Sequence, residues 1–190
     1  MRIISGFLKG KKMNYLKSST TRPLRDFVKE NTFNVIKHSN LINISLEDTN
    51  VLDFYSGVGS FGIECISRGA KKVTFVESDK KALTILQDNI KQLKIEKKSK
   101  VFQAKILSFL SKKNENKYEI IFFDPPFSEN SFIEELKIVK KSNICKKDHI
   151  IIIHREEKSQ DNFSEIMNII TTKKYGRSKV IFGNLNLNIL

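Results

Sequence analysis

The stretch VLDFYSGVGSFG, residues 51–62, decides how this chain is read. Val51 to Tyr55 have the β-branched and aromatic character of a strand, and Gly57, Gly59 and Gly62 then form a G-x-G-x-x-G turn into a helix. Glycines at such a turn let the backbone come close to a ligand, and the helix start offers N–H donors without partners inside the helix. Alone, the pattern is a weak signal. It gains weight because VTFVE, residues 73–77, reads as a second strand closing on Glu77, 20 residues after Gly57. A carboxylate there can accept both hydroxyls of a ribose.

Two ligands compete for this turn. A dinucleotide brings a pyrophosphate, which Asp53 would repel from the end of the first strand. The same carboxylate attracts the α-ammonium and sulfonium of S-adenosylmethionine, which is therefore the favoured reading. The structural alternative is a tight strand-to-helix turn that holds nothing.

Outward from residue 51, short apolar runs alternate with longer amphipathic ones. KVFQA, EIIFF and HIIIIH read as further strands, with helical stretches near 80–93, 105–112 and 130–140 between strands. Alternation of this kind predicts an α/β, doubly wound fold with a parallel sheet covered on both faces. NIITTKKYGRSKVIFGNL departs from it, reading as a hairpin around Gly176-Arg177 that adds an antiparallel strand. Upstream, Leu24, Phe27, Val28, Asn31, Thr32, Val35 and Ile36 recur at the period of one helix face. Residues 94–100 and 111–117 read as charged surface loops.

At 190 residues the chain suits one domain, and 14 Phe against 8 Gly and 3 Pro exclude a low-complexity chain. The net charge of +13 points to a polyanionic partner. Much of it is concentrated, since residues 1–40 hold nine cations against Asp26 and Glu30. Within residues 1–23 small and apolar residues alternate with the cations, which predicts a short ordered hairpin facing that partner, either nucleic acid or an anionic membrane surface; the bland alternative is a solvated face. No apolar run is long enough to span a bilayer, so the expected location is the cytoplasm. Cys65 and Cys145 stand apart without ligand spacing, so no metal site is expected.

The segment FFDPPF, residues 122–127, ends a strand in an acid followed by two prolines. Prolines stop the ladder and stiffen the backbone beyond it. In a doubly wound sheet this segment falls beside the first strand, at the edge where ligands bind. An amino group conjugated to a base ring is a poor nucleophile. The Asp124 carboxylate and the Pro125 carbonyl can accept its two hydrogens and turn its lone pair toward a methyl donor, while Phe127 stacks on the base. A rigid turn with a buried Phe is the structural alternative. His38, His149 and His154 form no motif. His154 ends the fifth strand near the ligand edge and is read as a surface or satisfied histidine.

Through MRIISGFLKGKKM, TRPLRDFVKENTFNVI, VLDFYSGVGSFGIECISRGAKKVTFVE, FFDPPF and YGRSKVIF, the chain resembles the RsmD-type methyltransferases, which methylate N2 of a guanine in bacterial 16S ribosomal RNA. DPPF is shared by many amino-group methyltransferases, whereas the N-terminal arm is specific. The resemblance implies a class I (Rossmann-like) methyltransferase sheet of seven strands, the last antiparallel, with a basic arm over 1–23 and the methyltransferase domain over 24–190. It implies a cofactor shell of Asp53, Ser56, Gly57, Gly59, Glu77, Ser78, Gln103 and Ala104, and a target-base site of Asp124, Pro125, Pro126 and Phe127. Arg2, Lys9, Lys11, Lys12, Arg22 and Arg25 are the expected RNA contacts. The implied activity is methyl transfer from S-adenosylmethionine to a guanine-966 type site on 16S rRNA or the small ribosomal subunit, by a monomer without a metal. Leu24 and Phe27 stand where the family commonly has Thr and Arg. Two other classes remain: an amino-group methyltransferase acting on DNA adenine or a protein glutamine, and a non-catalytic RNA-binding protein on the same fold.

Overall fold

The computed structural model describes residues 1–16, 25–112, 115–126 and 131–186. In chain order its elements are α1 (Asp26–His38), β1 (Asn50–Phe54), α2 (Ser60–Ser67), β2 (Lys72–Glu77), α3 (Lys80–Gln92) and β3 (Ser99–Gln103). Next come α4 (Ile106–Leu110), β4 (Tyr118–Phe123), α5 (Phe132–Lys141), β5 (Cys145–Glu156), β6 (Met167–Tyr175) and β7 (Ser178–Leu185). The strands form one sheet in the order β3-β2-β1-β4-β5-β7-β6. β7 alone runs against its neighbours, pairing antiparallel with both β5 and β6. This is the class I S-adenosylmethionine-dependent methyltransferase fold, and the hairpin expected at Gly176-Arg177 closes it.

The central strands read as unbroken apolar runs because helices cover both faces. Val51, Ile120, Phe122, Ile150 and Ile152 point into one core with α1, α2 and α3. Leu52, Phe54, Ile121, Phe123, Ile151 and Ile153 point into the other with α4 and α5. Phe61 of α2 stacks on Phe122 of β4 at 3.9 Å between ring centroids, fixing the helix directly over the central strands.

In α1 the inward face differs from the one its apolar spacing suggests. Val28, Lys29, Thr32, Phe33 and Ile36 are buried, while Phe27 is 65% exposed and meets Tyr175 edge-on at 5.8 Å. The helix is turned toward Lys29 because that ammonium has a buried partner: its Nζ lies 3.6 Å from Glu64 Oε2, both side chains being inaccessible to solvent. Leu24 lies outside the described residues.

Glu64 also seats the chain start. Its two carboxylate oxygens accept the Ile4 and Ser5 N–H groups, each at 2.9 Å, and Oε1 takes Arg68 Nε at 2.8 Å. Residues 1–13 fold back on themselves, with Ile3 N–H donating to Lys11 O at 3.0 Å and Met13 N–H to Met1 O at 2.9 Å. Ile3, Leu8 and Met13 are buried in the first core. Gly6 has φ of +83° and presses on α2 so closely that a Cβ would fall 1.8 Å from Ser67 O. No other residue fits there without displacing backbone.

Candidate active site

The glycine turn is held by two carboxylates. Asp53 lies within β1, 1% exposed, and its Oδ2 accepts the Gly62 N–H at 2.9 Å across the start of α2. A side chain at Gly62 would meet the Phe75 ring at 2.3 Å, so only glycine lets helix and strand come this close. Burial pushes the Asp53 carboxyl well above the usual carboxylate range; the Gly62 N–H opposes this, and the nearby Asp124 and Glu77 carboxylates reinforce it. Three acids thus share one region of a strongly basic protein. The electrostatics there favour an arriving cation.

Glu77 ends β2 and accepts the Gly57 N–H on Oε2 and the Asp79 N–H on Oε1, both at 2.7 Å. Each oxygen keeps a second lone-pair direction, so a ribose diol can still be received. Gln103 sits opposite Glu77 in the β2–β3 register with its side chain exposed, and the Ala104 N–H donates to Glu77 O at 3.0 Å. Ser78, directly after Glu77, is exposed. The Ser56 and Ser60 hydroxyls are buried at the turn and have no hydrogen-bond partner among the described residues. A buried hydroxyl left unpaired is costly, and a polar ligand relieves that cost. Ser60 carries no signal in the sequence apart from its place inside the glycine motif. The donor set fits S-adenosylmethionine: a diol acceptor, two free hydroxyls and an anionic region for its cationic groups.

The Asp124-Pro125-Pro126 segment begins one residue beyond β4, whose Phe123 pairs with Phe54 of β1 and Ile153 of β5. This register brings Asp124 beside His154, and His154 Nδ1 lies 2.8 Å from Asp124 Oδ1. Arg155, 1% exposed, donates from Nη1 to the Pro126 carbonyl at 3.2 Å. Its Nε and Nη2 donate to Asp161 at 3.1 and 3.2 Å, and its guanidinium lies 4.5 Å over the Phe132 ring. Two adjacent residues of β5 therefore grip both ends of the segment. His154 lies within β5, two residues before its end rather than at it, and is buried; its Nδ1 partner is the acid of DPPF. Only the β4–β5 register could have revealed that. His149 has a structural task, its Nε2 accepting the Leu185 N–H at 2.9 Å. Phe127 lies outside the described residues.

Lys9, Lys11, Lys12 and Arg25 are exposed, and Arg2 lies 3.5 Å from Asp26 with most of its side chain in solvent. Arg22 lies outside the described residues. One buried amide joins this region to the cofactor turn: Asn89 of α3 accepts the Asn14 N–H at 2.8 Å and donates to both Asn14 O and Val58 O at 3.1 Å. A cavity of about 500 Å³ between α1 and residues 42–47 contains none of the expected site residues. Among the described residues no His, Cys, Asp and Glu group could hold a metal, and no helix is long and apolar enough to cross a membrane.

A model of the family described as "Conserved hypothetical protein 95" matches residues 1–184. "Ribosomal RNA small subunit methyltransferase D" of Haemophilus influenzae is 33% identical over 159 residues, covering 83% of this chain and 79% of its own length. The protein of that name from Buchnera aphidicola subsp. Baizongia pistaciae is 31% identical over 189 residues, covering 100% of this chain and 92% of its own. The chain belongs to the RsmD methyltransferase family. Among solved structures, the yhhF protein of Escherichia coli superposes with a TM-score of 0.84 at 25% identity over 99% of each chain. Membership accounts for the length of the match, which takes in the folded arm at residues 1–13 as well as the sheet.

Proposed function

We propose that this RsmD-family protein transfers a methyl group from S-adenosylmethionine to the exocyclic N2 of a guanine, at a guanine-966 type site of 16S rRNA on the small ribosomal subunit. The observation that carries this reading is the double grip on DPP: His154 on Asp124 and Arg155 on Pro126, next to the acidic, glycine-turned end of β1. S-adenosylmethionine supplies an electrophilic methyl group on a cationic sulfur. Glu77 receives its ribose hydroxyls, Gln103 and Ala104 face its adenine, and Ser56, Ser60 and the turn backbone receive its amino-acid end. Asp53 acts from within the strand, setting the turn through Gly62.

With Oδ1 engaged by His154, Asp124 presents Oδ2 to one amino hydrogen of the guanine, and the Pro125 carbonyl takes the other. The lone pair on N2 is thereby released from the ring and aimed along a fixed line. Once N2 has been methylated, its surplus proton passes to Asp124 Oδ2 and on to solvent. Phe127 is assigned to stack on the target base, and the basic arm to hold the surrounding phosphates.

The test is methyl transfer from labelled S-adenosylmethionine to small subunits and to naked 16S rRNA prepared from cells lacking the gene, followed by nucleoside mass mapping. The expected product is one N2-methylguanine. Label appearing only in DNA adenine or protein glutamine would overturn the substrate assignment, and absence of label with intact RNA binding would favour the non-catalytic reading.

A further inference from the structure

The edge of the sheet opposite the active site carries a second charged feature. Lys72, Lys97, Lys98 and Lys100 surround a hollow of about 250 Å³ at the N-terminal ends of β1, β2 and β3, together with Asn50 and Asn116. No acidic side chain lines it, and none of the four lysines makes an ion pair among the described residues. The nearby Glu119, which accepts the Asn50 N–H, is already paired with Lys146. Like charges held around one concavity repel one another until an anion enters.

The hollow connects to the arm. Lys98 Nζ stands 5.9 Å from the centroid of Phe7, which is 64% exposed at the arm's turn while its backbone N–H is anchored to Ser67 O at 2.9 Å. The arm then rises to Asn14, which Asn89 ties to the cofactor turn. The cationic path along the arm, made by the exposed Lys9, Lys11 and Lys12, thus lies between Asn14, tied to the glycine turn, and Phe7 beside the lysine hollow.

We propose that this path is a second RNA-binding surface, with the hollow receiving backbone phosphates and Phe7 offering its ring to an unpaired base. The inference rests on the RNA substrate proposed above and extends it. The strands separate the two edges by roughly 17–20 Å, so an RNA that touches both runs along the arm between them. The charge, the Asn50 and Asn116 amides lining the hollow, and an aromatic beside a cation all match a nucleic-acid strand.

The test compares the wild type with K72Q/K97Q/K100Q, which changes exposed side chains only, and with F7A. Binding to a 16S rRNA fragment is titrated across salt concentrations, alongside binding to phosphatidylglycerol vesicles and to S-adenosylmethionine. For the triple variant we expect affinity for the folded fragment to fall about tenfold or more and the log–log salt slope to become shallower by about two. Affinity for S-adenosylmethionine and methyl transfer to a short hairpin bearing the target guanine should be unchanged. F7A should weaken binding without moving the salt slope. An unaltered salt slope in the triple variant overturns the proposal, as does a loss confined to the vesicles. RNA binding that responds as expected in a protein that methylates no RNA would uphold the surface while removing the activity proposed above.

Discussion

His154 Nδ1 sits 2.8 Å from Asp124 Oδ1, so one oxygen of the carboxylate is already engaged within the protein and Oδ2 is the one proposed to meet the target base. Replacing Asp124 with Ala should lower the single-turnover rate about 10²–10³-fold while S-adenosylmethionine affinity stays level. Asp124→Asn separates orientation from proton removal, since an amide still accepts one hydrogen bond but takes no proton. His154→Phe should lower kcat about tenfold, the cost of one supporting hydrogen bond, with KM for RNA little changed. His154→Asn, which can still donate, should recover part of the loss. Full activity in Asp124→Ala would refute the assignment.

Asp53 yields a prediction of opposite sign for stability and binding. Its carboxyl is pushed up chiefly by burial, so the folded protein resists its ionisation while the unfolded chain does not. That contribution to stability is complete below the ordinary carboxylate pKa, about 3.9, and is lost as pH rises toward the raised folded value. Asp53→Asn keeps an acceptor for the Gly62 N–H and carries no charge. It should melt at or above the wild-type temperature at pH 7, lose that part of the pH dependence, and bind S-adenosylmethionine more weakly. Calorimetry and a pH series of melting curves measure both.

Glu77 has a double task, because the oxygens proposed for the ribose also hold the Gly57 and Asp79 N–H groups. Glu77→Ala should weaken S-adenosylmethionine binding about 10- to 100-fold, since hydrogen bonds to a charged acceptor are each worth roughly 1.5–3 kcal/mol. Glu77→Gln should fall between. Equal affinity in all three proteins by isothermal titration would rule out the ribose contact.

Glu64→Ala should remove one of the arm's anchors and leave the buried Lys29 ammonium without its carboxylate, a loss of about 3–5 kcal/mol in denaturant unfolding. The Lys29 pKa is already lowered, first by burial, with Glu64 opposing the shift. Without Glu64 it should drop further, so the penalty is fully present in acid and disappears as pH rises through the lowered value and the amine becomes neutral. A deficit that stays constant into alkaline pH would place the cost elsewhere.

The fold is legible in the sequence because its signals are local. A strand, a glycine turn and a helix fit within residues 51–67, and the alternation after them repeats that unit. The features hidden from the sequence are carried by long-range pairs. Ile4 and Glu64 are 60 positions apart, Asn14 and Asn89 are 75 apart, and neither pair leaves a periodicity to read. The apolar spacing of α1 passes over Lys29 because a charge normally marks the solvent face, and only the buried Glu64 reverses that rule. Among candidate site residues, Asp53 and Glu77 stand out by type and spacing, whereas Ser60, His154 and Arg155 become visible only once β4 lies beside β5 and the turn has closed.

The amide of Asn89 touches the arm at Asn14 and the cofactor turn at Val58, and it is wholly buried. Mutational surveys of this protein will therefore mislead at that position if they score one readout alone. An RNA-binding screen would map Asn89 as an RNA contact and a cofactor screen as a cofactor contact, although it is exposed to neither. Only a survey that records both affinities for every variant can separate residues that meet a ligand from a side chain such as Asn89, which lets two distant parts of the surface share a single support.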